Sequence, residues 1–202
     1  MTEKPNIFDR PIGRVPTVTL AGAADLLAAV FIGEDRNKLS EQFRTASKAG
    51  YIPRRFDGGL YTYGPEGVGT GALLIACYDT FKVKDVATAW EIVTACNAWS
   101  KINPRPPHIR EGVPPIVAAS VGVTRGEYWT FTISVFHHRK TNERRVVSAI
   151  YDVQGPTPDA APWLPLEFLP RGTQTLGLWP LLEPLDAIYN GLRSAGRAKL
   201  DA

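Results

Sequence analysis

Apolar residues first recur at helical spacing in "TLAGAADLLAAVF", where Leu20, Ala24, Leu27 and Phe31 share one side behind a Thr19 cap. The pattern breaks at Gly33 and restarts with Leu39, Phe43 and Ala46 on one face, ending at Gly50 with Pro53 just beyond. The outer face of this second helix is polar and basic. "YIPRRF", a turn at "DGG", and "LYTYG" then predict two short strands joined by a tight Asp-Gly turn, a β-hairpin. Pro65 opens a third helix to about Thr80, with Val68, Ala72 and Ile75 inward. Gly67, Gly69 and Gly71 oppose it, at roughly 1 kcal/mol each relative to Ala. Either that helix begins late, or it packs too closely for any side chain to fit. "KDVATAWEIVTAC" predicts a fourth helix capped by Asp85, with Val86, Trp90, Val93 and Cys96 on one face.

"NPRPPHIREGVPP", with five prolines in thirteen residues, then favours an extended connector. Beyond it the period changes from helical to alternating. In "EYWTFTISVF" Trp129, Phe131, Ile133 and Val135 alternate with polar neighbours, and "RRVVSAIYDV" supplies a second strand across the tip "HHRKTNE". A third strand is expected at "PIVAASVGV". A second proline-rich loop, "GPTPDAAPWLPLEFLP", leads to a terminal helix with Leu181, Leu185, Ile188 and Leu192 on one face. The fold class is therefore α+β: a helical N-terminal part containing a hairpin, then an antiparallel-sheet part with a terminal helix. The expected division is an arm at 1–16 carrying Lys4, Arg10 and Arg14, a domain at 17–100, a connector at 101–115 and a second domain at 116–202.

Composition adds that 202 residues, 44% of them apolar and five of them Trp, can bury a sizeable core. The net charge of +3 permits a nucleic-acid partner without demanding one. Its distribution is uneven. From Glu34 to Arg55, six basic residues (Arg36, Lys38, Arg44, Lys48, Arg54, Arg55) face three acidic ones, so this window carries as much net charge as the whole chain. Cys77 and Cys96 fall inside apolar helical patterns, as expected of free thiols in a reducing cytoplasm. The sequence contains no apolar run long enough for a membrane span and no signal-peptide pattern at its start. A cytoplasmic protein without a membrane partner is expected.

The glycine-rich stretch "GVGTGA" does not meet the demands of a dinucleotide cradle. That motif needs a preceding buried parallel strand, G-x-G-x-x-G spacing and an acidic residue after the next strand, whereas here "LYTYG" is short and half polar and a helix follows. His137 and His138, adjacent on a strand, point to opposite faces, and His108 lies in the connector. With no HExxH, no paired cysteines and no nucleophile beside a base, no enzymatic activity, metal or cofactor is expected.

The order helix, turn, basic helix, hairpin, two helices is that of a winged helix-turn-helix. In "KAGYIPRRFDGGLYTYGPEGV" and "FKVKDVATAWEIV" the chain resembles the DNA-binding domain of the MerR family over roughly residues 17–97. The wing with its paired glycines and tyrosine is the most specific part, and Arg44 matches a basic residue of the family's second helix. The resemblance implies a recognition helix in the major groove, with base-reading candidates Arg36, Asn37, Lys38, Ser40, Glu41, Gln42, Arg44 and Thr45, foremost Arg44 and Gln42. Arg54, Arg55, Tyr61 and Tyr63 in the wing, with Lys48, are expected on the phosphates or in the adjacent minor groove. Arg139, Lys140, Arg144 and Arg145 at the second hairpin tip either extend that surface or serve solubility. The expected function is sequence-specific double-stranded DNA binding in transcription regulation, with the C-terminal part dimerising the protein or binding a ligand. The alternatives are an architectural factor of a phage or mobile element, excisionase-like or a packaging small subunit, and a protein-interaction adaptor.

Overall fold

The computed structural model describes residues 16–83, 85–155, 164–165 and 167–185. Among these are six helices and two antiparallel sheets, a mixed α+β architecture. The expected arm, apart from its last residue, lies outside the described residues, as do Ile188 and Leu192.

Helix α1 (Leu20–Val30) starts where the Thr19 hydroxyl accepts the Gly22 amide at 3.3 Å. Its Ala23, Ala24, Leu26 and Leu27 are buried. Helix α2 (Arg36–Lys48) is capped by Asp35, whose carboxylate accepts the Lys38 amide at 2.8 Å, and Gly50 at φ +83° turns the chain out of it. Strands β1 (Arg55–Asp57) and β2 (Leu60–Thr62) pair with Phe56 opposite Tyr61. Gly58 and Gly59, at φ +57° and +84°, supply the two left-handed positions that a two-residue turn of this register needs.

Helix α3 (Pro65–Phe81) runs through all three glycines because its first half is wedged among neighbours. A Cβ at Gly67 would strike the Pro53 carbonyl, one at Gly69 would lie 2.9 Å from Ile116, and one at Gly71 would enter the Phe43 ring. Close packing, rather than a late start, is therefore what those residues serve. Helix α4 (Val86–Asn97) is capped by Asp85 as expected, but its buried face is Thr88, Ala89, Ile92, Val93, Ala95 and Cys96. Val86 and Trp90 are exposed instead. Small residues let α4 sit close against α3 and the large sheet, which rotates those two side chains outward.

Residues 115–124 are helix, not strand: α5 (Pro115–Thr124) replaces the expected strand at "PIVAASVGV". An unbroken apolar run carries no period to separate the two, and here a proline at the first helical position starts a turn that Ala118, Ala119 and Gly122 allow to pack on several sides. The third strand comes from elsewhere. The sheet order is β4 (Arg144–Asp152), β3 (Trp129–His138), β5 (Phe168–Gly177), all antiparallel. Strand β5 is exposed along nearly its whole length, so no apolar alternation marks it. A short helix α6 at 179–185 follows, with Leu181, Leu182 and Leu185 buried.

One apolar cluster runs from Ala23 through α3, α4 and α5 to Trp129, Phe131, Ile150 and Leu185. The proline-rich segment does not interrupt it, since Ile109 is buried and Trp99 Nε1 donates to the Val113 carbonyl at 2.8 Å. Polar contacts tie α4 and its cap to β4: Ser148 Oγ donates to the Glu91 carbonyl at 2.7 Å, and Arg144 donates to Asp85 at 3.1 Å and to the Thr88 hydroxyl at 3.3 Å. Both cysteines are free and buried, and burial raises both thiols, that of Cys96 to about 12.

Candidate nucleic-acid interface

Helix α2 buries Leu39, Phe43, Ala46 and Ser47 and turns Arg36, Asn37, Lys38, Glu41, Arg44, Thr45 and Lys48 to solvent. The hairpin is rooted against the C-terminal half of this helix. Tyr63 shares a hydrogen bond with Ser47 at 3.0 Å, and its ring meets Phe43 edge-on at 4.9 Å. The same residue exchanges backbone hydrogen bonds with Val18 on the other side, both at 2.9 Å. Arg55, at the root of β1, reaches Glu66 in the first turn of α3 at 3.2 Å. Helix α2 and the hairpin are thus fixed to each other by side chains that neither presents to solvent.

One of the expected contact residues does not belong to an outward surface, and a second is only partly exposed. Tyr63 is only 4% exposed and its hydroxyl is spent on Ser47, so it is a core residue that anchors the hairpin. Gln42 is half-buried, and its amide oxygen has no hydrogen-bond partner among the described residues. It lines a trough of about 300 Å3 together with Glu41, Thr45, Tyr51 and Tyr78, at the margin of the exposed face. The helical period places position 42 at the edge of the buried strip, next to Leu39, Phe43 and Ala46, and that edge was not visible from residue type.

The remaining cations are present and mostly countered locally. Arg36 is held back on α1 by Asp25 at 2.5 Å and by the Ala21 carbonyl at 3.3 Å. The hydrogen bond to Asp25 raises the Arg36 pKa and lowers that of Asp25. Lys38 pairs with Glu34 at 2.6 Å, which raises the lysine, and Arg44 pairs with Glu41 at 3.1 Å. Exposed pairs of this kind contribute little to stability, so a phosphate can take the place of the carboxylate. Arg54 lies 4.1 Å over the Tyr61 ring, and neither Arg54 nor Lys48 has a carboxylate partner among the described residues. The exposed set is therefore Arg36, Asn37, Lys38, Glu41, Arg44, Thr45 and Lys48 on α2, with Arg54, Arg55 and Tyr61 on the hairpin.

The second hairpin tip is partly engaged. Arg144 donates to Asp85 and to the Thr88 hydroxyl, and Arg145 pairs with Glu143 at 3.0 Å. His138 Nδ1 accepts the amides of Lys140 and Thr141, so that histidine shapes the turn. The residues missed by reading the sequence are the exposed Phe56 and Leu60, which a search for charged and polar contact residues does not single out. No family model, curated protein or solved structure matches the chain. Among the described residues no helix is long and apolar enough to cross a membrane.

Proposed function

We propose that the chain is a double-stranded DNA-binding protein acting in transcription regulation, with residues 17–97 working as a winged helix-turn-helix. The observation that carries this reading is the fixed pairing of two exposed cationic elements: α2, with Arg44 and Lys48 outward, and a protruding hairpin with Arg54 and Arg55, locked together through Tyr63 and Ser47. A helix of 13 residues with a polar outer face suits the major groove, where Asn37, Arg44 and Thr45 reach base edges. Lys48, Arg54 and Arg55 meet phosphates on either side, which sets register rather than sequence.

Charge arithmetic supplies the test. Each phosphate contact removed lowers the slope of log affinity against log salt by about 0.9. Lys48→Ala with Arg54→Ala is therefore expected to weaken duplex binding and flatten that slope by up to about 1.8. An unchanged slope across the salt series overturns the reading. A second reading, an architectural DNA-binding factor, is favoured by the apolar tip of the hairpin.

A further inference from the structure

The two edges of the large sheet differ. Strand β4 is tied to α4 and its cap through Ser148 and Arg144, and it carries Arg144, Arg145 and Asp152. Strand β5 pairs with β3 on one side and, among the described residues, with nothing on the other. Leu169 to Thr175 are exposed without a break. A strand with one face on a core alternates between covered and open positions, so over this run neither face of β5 is covered. From Gly172 to Gly177 the sequence "GTQTLG" holds no charge and no proline, two devices that keep a sheet edge from pairing.

The hydrogen-bond phase fixes what that edge offers. The Leu178 amide donates to the Trp129 carbonyl at 3.0 Å, in continuation of the register that sets Gly177 against Thr130. Opposed residues of an antiparallel pair alternate between exchanging their hydrogen bonds and turning them outward. Leu176 and Gln174, opposite Phe131 and Ile133, therefore spend their backbone groups on β3. Thr173, Thr175 and Gly177 point N–H and C=O to the free side. The row stops at the register shift beside Val135, where Arg171 is the extra residue, and at Pro170, which has no N–H to donate.

A second copy of the same row completes it. With Thr175 at the middle, a twofold axis there sets Thr175 against itself and Thr173 against Gly177 of the copy. Each outward N–H then meets an outward C=O. Gln174 comes opposite Leu176 of the copy, and the same register carries the exposed Arg171 toward Trp179 of the copy, whose ring is 49% exposed and suited to receive a guanidinium. The chain is +3 overall, yet along this window two copies approach with no like charges opposed.

We propose that β5 is a self-association edge: two copies pair antiparallel through residues 172–177 about a twofold axis at Thr175, joining their sheets into one. This does not rest on DNA binding, and its test contains no nucleic acid.

Sedimentation velocity of the full chain from about 1 to about 200 μM measures the association. A single strand pair lies at the small, transient end of interface sizes, so a monomer–dimer equilibrium with a micromolar midpoint is expected. Thr175→Lys, which opposes two cations on the axis, should weaken association at least about tenfold. Thr175→Val, which keeps a β-branched side chain, should associate like wild type. Unchanged far-ultraviolet dichroism establishes that the fold is intact in both. Oxidation reads the register. Thr175→Cys should give a disulfide-linked dimer, because opposed Cα atoms of a hydrogen-bonded pair lie about 5.5 Å apart. Gln174→Cys should not, because it and its copy are offset by two residues, roughly 7–8 Å. Cys77 and Cys96 are buried and stay out of the exchange. If Thr175→Lys misfolds, the two cysteine variants decide alone. A wild type that stays monomeric throughout overturns the proposal and leaves the edge to a strand of some other protein. A dimer that a folded Thr175→Lys leaves intact overturns it too, as does equal cross-linking at positions 174 and 175.

Discussion

Gly67 and Gly71 decide how closely α3 approaches its neighbours. In an open helix each would be improved by alanine by up to about 1 kcal/mol. Here the added methyl of Gly67→Ala meets the Pro53 carbonyl and that of Gly71→Ala meets the Phe43 ring. Either substitution is expected to destabilise by about 1–3 kcal/mol, the range for overpacking a filled core. Gly177→Ala, with nothing within 4 Å of its Cβ position, should leave the thermal midpoint unchanged or slightly raised. Thermal melts of the three variants check the sign, and stabilisation at Gly71 contradicts the packing. The number of these glycines was legible in the sequence, but not their reason, because the partners are Pro53, Phe43 and Ile116, up to 47 positions away in the chain.

At the scale of elements, α4 and the β3–β4 hairpin are clipped together at one carboxylate. Partial burial pushes Asp85 up, but the amide and hydroxyl of Thr88 and the guanidinium of Arg144 outweigh it and hold the group below the usual carboxylate range. A depressed carboxyl stabilises the fold above its unfolded pKa of about 4 and stops doing so as the pH falls through the lower folded value. Asp85→Ala is expected to lose about 1 kcal/mol at pH 7, the usual worth of such a cap, with the loss shrinking toward zero in strong acid. Denaturant midpoints at pH 7 and below pH 3 measure it. That cap was readable from sequence, as were α1, α2, the first hairpin and the β3–β4 pair, because each carries a local signal: a capping side chain, a period or a glycine turn. Strand β5 and helix α5 were not, since β5 has almost no buried side chain and α5 is apolar on every side. The outward turn of Val86 and Trp90 likewise depends on what α4 packs against, which no period within α4 encodes.

At the scale of the whole molecule, one continuous core holds α1–α4 against the large sheet, so the exposed side of α2 and the first hairpin form a fixed surface. Most of that surface was named from the sequence by its charge. Tyr63 was placed on it wrongly because residue type does not tell an anchoring tyrosine from a contacting one. Phe56 and Leu60 were left off it because a surface read from charge does not single out apolar side chains. The account stands on α2 and the hairpin meeting duplex DNA as one surface. The direct measurement is an amide chemical-shift map of the full nitrogen-labelled chain titrated with a mixed-sequence duplex of about 20 base pairs, two turns of the double helix. The largest shifts are expected at Asn37, Glu41, Arg44, Thr45 and Lys48 and across residues 54–62. Shifts confined to β3–β5, or no shifts at low salt, would contradict it.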